Sequence, residues 1–383
     1  MTTAITQDIT KYKPTVLVVD DEAGPRDALK VILRPFFNIQ AAESASAALD
    51  VLNNQQVDLI TLDQRLPDRQ GIDLLQEIKH DHSNVEVIII TGYGSLKSAM
   101  DGIRHGAAGY LLKPFNVTEL VTLVNQTLAK KQRLDFLRTF IHSSPGWWDK
   151  ENECRETWSR LQAGYGVIGK SGSEPSASMK EGMELLPLFS DLLEAKDRHL
   201  LNHCSRVSFY ATLLGNRINL SSNEQKSLAL GAFLHDIGQI ALDNDHFAQD
   251  AMTALGTSGP SLQHTEVGAK LVAPLGLPAE VGQIISYHHE RWDGSGYPHG
   301  LSGEGIPLLA RIVSLAQTFD HLTADLPDRD SLAIEDACMF MTAQAGRAFA
   351  PTLIPVFTQV VQECKASLPA MAIASSPSQR SDH

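Results

Sequence analysis

Residues 85–114, VEVIIITGYGSLKSAMDGIRHGAAGYLLKP, decide the fold of the first third of the chain. The run VEVIII is apolar almost throughout, which a strand half in water cannot be, so it reads as a strand covered on both faces. SLKSAMDGIRHG then reads as a helix and GYLLKP as a further strand. Working outward, TVLVVDD, FNIQAA and VDLITLD repeat the strand signal, separated by the helical stretches AGPRDALKVILRPF, SASAALDVLNN and GIDLLQEIKH. Five such units predict an α/β doubly wound, parallel five-stranded domain over residues 14–135. The last helix, in NVTELVTLVNQTLAKKQRLDFLRTF, continues past that domain with apolar residues at three- and four-residue spacing, a face suited to a second copy in a homodimer.

The whole chain has 383 residues, room for two domains and a connector. Its net charge of -13 repels phosphate backbones, so DNA is not an expected partner. Four scattered cysteines form no C-x-x-C pair and point to a reducing, cytoplasmic setting. No apolar run reaches the roughly 20 residues that span a bilayer, so membrane insertion is not expected. Residues 136–183 read as a helical extension and linker in which Trp147, Trp148 and Trp158 precede a Gly/Ser/Pro-rich stretch. Rings of that size are rarely left in a solvated connector, so the segment is expected to dock on a domain or partner. From residue 184 to 365 the text is helical throughout, and residues 366–383 form a small, polar tail expected to be disordered.

In an open α/β sheet the site lies at the carboxyl ends of the strands. Those ends supply Asp20 and Asp21, Asp63, Thr91, and Lys113 before Pro114. Three carboxylates in one pocket call for a hard cation such as Mg²⁺, and a lysine and a hydroxyl beside them suit an acyl phosphate on aspartate. Through VVDDE, TLDQRLPDRQG, ITG and YLLKP the first domain resembles a two-component receiver domain of the flavodoxin-like fold. That resemblance implies that Asp63 is the phosphoacceptor for a sensor histidine kinase, that Asp20, Asp21 and Asp63 bind Mg²⁺, and that Thr91, Tyr110 and Lys113 contact phosphate or switch with it.

Nine of the 14 histidines fall between residues 199 and 321. His203, the His235–Asp236 pair in LHDIG, His264, and His288–His289 in YHHERWDGSGYP are too many chelating groups for chance; they suit borderline divalent ions, with a carboxylate able to bridge two of them. HDIG together with HHERWDGSGYP is similar to the HD-GYP family, an all-α HD-type metallohydrolase. The resemblance implies a cyclic di-GMP phosphodiesterase working by two-metal-activated water, with Fe or Mn held by His203, His235, Asp236, His264, His288 and His289. Asp293, Gly294, Gly296, Tyr297 and Pro298 would form the named loop near the site, with diguanylate cyclase domains as further partners.

The chain departs from the family at Gln239, where HDIGK has lysine, at Gln317, where a ligating aspartate stands, and at Leu326–Arg329, where RPYR keeps only Arg329 as a phosphate-contacting arginine. His199, one turn before His203, is read either as a further ligand or as a polar group at the cavity edge; His246, His299 and His321 fall on no ligand position. These departures leave a second reading, a degenerate domain that binds cyclic di-GMP or a protein without turnover. GYGVIGKS at 164–171 fits the phosphate-loop pattern in letters but follows no strand and opens no helix, so it is set aside.

Overall fold

The computed structural model describes residues 13–92, 96–143, 146–147, 149–168, 185–242, 263–324 and 331–367. The chain divides into two compact units, Met1–Phe136 with Gly164–Ser173 and Leu137–Ala163 with Glu174–His383. The first holds strands β1 (Thr15–Val19), β2 (Asn38–Ala42), β3 (Leu59–Leu62), β4 (Glu86–Thr91) and β5 (Gly109–Leu112). They form one sheet in the order β2-β1-β3-β4-β5, every pairing parallel. Helices α1 (Ala23–Leu33), α2 (Ala45–Asn54), α3 (Gly71–Asp81), α4 (Leu96–Arg104) and α5 (Val117–Ser143) make the crossovers and the exit.

Both faces of the sheet are buried, which explains the unbroken apolar runs. Val16, Val18, Ile88 and Ile90 pack under Leu29 and Leu120, whereas Leu17, Val19, Val87 and Ile89 pack under Leu74 and Ile78. Truncating one such isoleucine to alanine costs about 2–5 kcal/mol. The strand order reverses between β1 and β3, and Val19 is in register with Leu62. Asp20 and Asp63 therefore emerge side by side at the switch point.

The second unit is helical. It contains most of α6 (Glu151–Ile168), then α7 (Leu186–Lys196), α8 (Arg198–Arg217), α9 (Ser222–Leu234), a 3₁₀ turn Ile237–Ala241, α10 (Gln263–Val272), α11 (Ala279–Tyr287), α12 (Leu308–Thr323), α13 (Ile334–Ala343) and α14 (Ile354–Ser367). Its core joins Val207 and Leu214 of α8, Leu228 of α9, Ile312 and Phe319 of α12 and Phe357 of α14. Ser221 and Glu224 close a reciprocal cap at the start of α9, fixing the helix that ends just before His235. Every ligand type named from the sequence in this half lies at a helix end or on a buried face.

The tryptophan-bearing connector is packed. Trp158 is 2% exposed, and its indole N–H donates to the Leu271 carbonyl at the end of α10 over 2.7 Å. Phe140, Trp147, Trp158 and Phe189 form an edge-to-face ladder with centroids 5.7–6.1 Å apart. Helix α6 runs to Ile168, so the first part of the GYGVIGKS stretch is helical rather than a strand-to-helix loop. Trp148, His246, Leu326–Arg329 and residues 368–383 lie outside the described residues. No described helix is long and apolar enough to cross a membrane.

Candidate functional site

In the first unit Asp20, Asp21 and Asp63 bring carboxylate oxygens within 4.8 Å of one another. Lys113 Nζ donates to Asp20 Oδ2 at 2.7 Å and to Asp63 Oδ2 at 2.6 Å. Burial pulls the Lys113 ammonium down, but its bonds to Asp20 and Asp63 and their charge outweigh it and hold the lysine above its ordinary value. One fixed cation against three carboxylates leaves the pocket anionic, the condition in which a hard oxygen-seeking ion is favoured. Thr91 is fully buried at the end of β4, and Tyr110 on β5 is partly buried against the sheet core. Asp20 Oδ1 accepts the Glu22 N–H, which fixes the carboxylate's rotamer beside the pocket.

In the second unit the six ligand types converge on one carboxylate. Asp236 Oδ1 lies 3.2 Å from His264 Nε2 and 3.6 Å from His288 Nε2. Its other oxygen, Oδ2, lies 3.5 Å from His235 Nε2 and 4.0 Å from His203 Nε2. Two groups result, Asp236/His264/His288/His289 and His203/His235/Asp236, sharing Asp236. Donors held about 2.1 Å from one tetrahedral cation sit about 3.4 Å apart, close to these separations.

The tautomers agree with that reading. His235 Nδ1 is 2.8 Å from the Ala232 carbonyl, and His288 Nδ1 is 3.0 Å from that of Ile285, so both donate there and turn an Nε2 lone pair toward Asp236. His203 does likewise, with Nδ1 2.7 Å from Asp320 Oδ2. The His235 Nε2 atom is buried without a hydrogen-bond partner. Lone pairs facing a carboxylate inside a buried core repel it unless a cation lies between them, so the donor set fits divalent metal ions.

Burial holds His235 down at about 3, against the pull of Asp236, and pushes His288 and His289 below the ordinary imidazole value too. Asp236 is held well below its usual range: burial would raise it, but the surrounding imidazoles outweigh that. Burial thus favours the neutral form of His235, His288 and His289, the form of imidazole that binds metal.

Gln317 is 2% exposed; its amide nitrogen lies 3.3 Å from His289 Nδ1, and its oxygen is buried with no hydrogen-bond partner. Gln239 is buried on the 3₁₀ turn. His199 is exposed in the first turn of α8 and joins neither group. His321, set aside on sequence grounds, is buried and stacks on His203 with centroids 4.4 Å apart and planes 2° from parallel. Asp320 and Glu290 were not singled out from the sequence, although both are carboxylates 2% exposed. Glu290 accepts the His299 and Leu301 N–H groups at 2.8 and 3.0 Å and so closes the loop that carries Asp293–Pro298. In that loop Tyr297 stacks on His289 at 4.7 Å and 15°. A Cβ on Gly296 would come within 2.3 Å of the Arg291 nitrogen, so only glycine allows the loop this close; Gly294 has φ +81°. Asp293 accepts from the Ser295 N–H and hydroxyl and does not reach the metal groups.

Residues 16–125 match the model of the response regulator receiver domain and residues 187–353 that of the HD domain. Over 353 residues the chain is 25% identical to a cyclic di-GMP phosphodiesterase of Thermotoga maritima, covering 91% of each protein. It is 27% identical to the cyclic di-GMP phosphodiesterase response regulator RpfG of Xanthomonas campestris pv. campestris, covering 88% of this chain and 85% of that one. A 3'3'-cGAMP-specific phosphodiesterase of Vibrio cholerae is 30% identical over 191 residues, 49% of this chain and 37% of that one.

Proposed function

The chain carries a response regulator receiver domain and an HD domain, and from that premise we propose that it is a phosphorylation-controlled cyclic di-GMP phosphodiesterase. The observation that carries the reading is Asp236, whose two oxygens each face two imidazoles in a buried centre. Divalent cations bound there would polarise a phosphoryl oxygen and lower the pKa of a bound water. The chain's own contribution is orientation. Main-chain carbonyls hold His235 and His288 with their lone pairs inward, Tyr297 fixes the plane of His289, and Glu290 holds the loop against it. The likeness to proteins named for cyclic di-GMP hydrolysis supports a dianionic cyclic dinucleotide as the substrate.

For the receiver, we infer that Asp63 accepts phosphate from a sensor kinase. Its carboxylate stands beside Asp20, Asp21 and Lys113, so the incoming phosphoryl oxygens would meet the ammonium and a cation held by the acidic pair.

One feature favours a second reading, binding without turnover: Gln239 and Gln317 put neutral amides where the resemblance has a cation and an anion. The test is full-length protein loaded with Mn²⁺ or Fe²⁺ and given cyclic di-GMP, with 3'3'-cGAMP in parallel, with and without acetyl phosphate. Release of linear pGpG or GMP from cyclic di-GMP supports the enzyme. Binding of the intact dinucleotide with no product under any condition supports the second reading, and turnover of 3'3'-cGAMP alone would change the substrate.

A further inference from the structure

Two of the inward-facing histidines take their orientation from main-chain carbonyls, but His203 takes its own from a charged pair. Asp320 Oδ2 accepts from His203 Nδ1 at 2.7 Å and from an Arg206 terminal nitrogen at 2.9 Å, while Oδ1 accepts from Arg206 Nε. The carboxylate is 2% exposed, whereas the Arg206 side chain is 43% exposed. Arg206 follows His203 by three residues on α8, so both side chains rise from one helical face. Asp320 and His321 are neighbours on α12; one fixes the edge of the His203 ring and the other covers its face.

We propose that Asp320 and Arg206 are positioning residues for His203, setting the metal affinity of the His203/His235/Asp236 group and not that of the Asp236/His264/His288/His289 group. This rests on the metal-centre reading above. Arg206's planar fork engages both carboxylate oxygens and so fixes the orientation in which Oδ2 meets His203 Nδ1–H. That bond sets the tautomer and keeps Nε2 aimed at Asp236 Oδ2, 4.0 Å away. Partners of this kind typically change metal affinity 10–100-fold. A purely stabilising purpose is a weak account, because a buried ion pair often adds little over apolar residues of the same volume.

The test uses full-length protein stripped with a chelator, then titrated with Mn²⁺ and analysed for metal per chain, with Co²⁺ absorption reporting ligand geometry. Arg206→Met keeps the alkyl stem and removes the fork; Arg206→Lys restores charge without the fork; Asp320→Asn sets an amide donor against donors. The expected result is that Arg206→Met weakens one of two sites by 10–100-fold, leaves the other unchanged and alters the Co²⁺ spectrum, with Arg206→Lys recovering part of the loss. Asp320→Asn should lose the same site. Two sites of wild-type affinity in both variants, or both sites weakened together, overturn the proposal while leaving the metal centre standing. Wild-type protein that takes up no metal overturns the centre and this proposal with it.

Discussion

Substituting Gly238→Ala should damage the metal centre without touching a ligand. Gly238 follows the His235–Asp236 pair by two residues, and a Cβ there would lie 2.0 Å from the His264 carbonyl oxygen and 2.7 Å from the Gly268 nitrogen. An ordinary contact begins near 3.4 Å, so the 3₁₀ turn and α10 must separate by about 1.4 Å. Both atoms in the way are main chain and cannot swing aside. Overpacking of this kind costs about 1–3 kcal/mol, which for a domain of this size lowers the melting temperature by roughly 2–12 °C. The same displacement carries His264 away from Asp236, now 3.2 Å apart, and metal ligation tolerates only about 0.2 Å. The matched control is Gly282→Ala in α11, where a Cβ meets nothing within 4 Å and removal of a helical glycine should stabilise by about 0.5–1 kcal/mol. Melting curves of metal-free protein and metal content after gel filtration read both effects. A Gly238→Ala protein that melts like wild type and holds the same metal would refute the close-approach argument.

Other outcomes follow from the same geometry. In metal-free protein, His235 at about 3 folded against 6.5 unfolded means that the unfolded chain binds the extra proton, so stability falls as pH drops below 6.5 toward 3. At pH 5 this costs about 2 kcal/mol for His235 alone, and the lowered values of His288 and His289 act in the same direction. Equal melting temperatures at pH 7.5 and 5 would contradict it. Trp158→Phe keeps the ring ladder but leaves the buried Leu271 carbonyl only the weak Cys154 thiol donor, at a cost of about 1 kcal/mol in denaturant unfolding; an unchanged midpoint would show that the indole bond contributes nothing to stability. Asp63→Asn should abolish labelling by acetyl phosphate while the sheet stays folded, and undiminished labelling would remove Asp63 from the assignment.

The sheet was legible because burial on both faces leaves an unbroken apolar signature, and because the residues just past Val19, Leu62, Ile90 and Leu112 are polar. The clustering of the candidate metal donors was legible for a similar reason: histidines and an aspartate in helices otherwise made of core residues need partners. Asp320 carried the same signal, a carboxylate inside LLARIVSLAQTFDHLT, yet its partners lie 114 and 117 residues away and no local pattern names them. Glu290 was hidden differently, since its bonds are to main-chain N–H groups of a loop that returns only in three dimensions. The docking of the tryptophans could be expected from their size, but not that Trp158 would seal the end of the helix that carries His264 at its start.

A single carboxylate shared between two donor groups makes their occupancies interdependent. Two divalent ions on the two oxygens of Asp236 would repel each other, and each would withdraw charge the other needs, so binding at one group would weaken binding at the other by an equal factor. A centre of that kind would have a filling order. The group with four protein donors should load first and the three-donor group last, which makes the second metal the one that cellular metal supply can control.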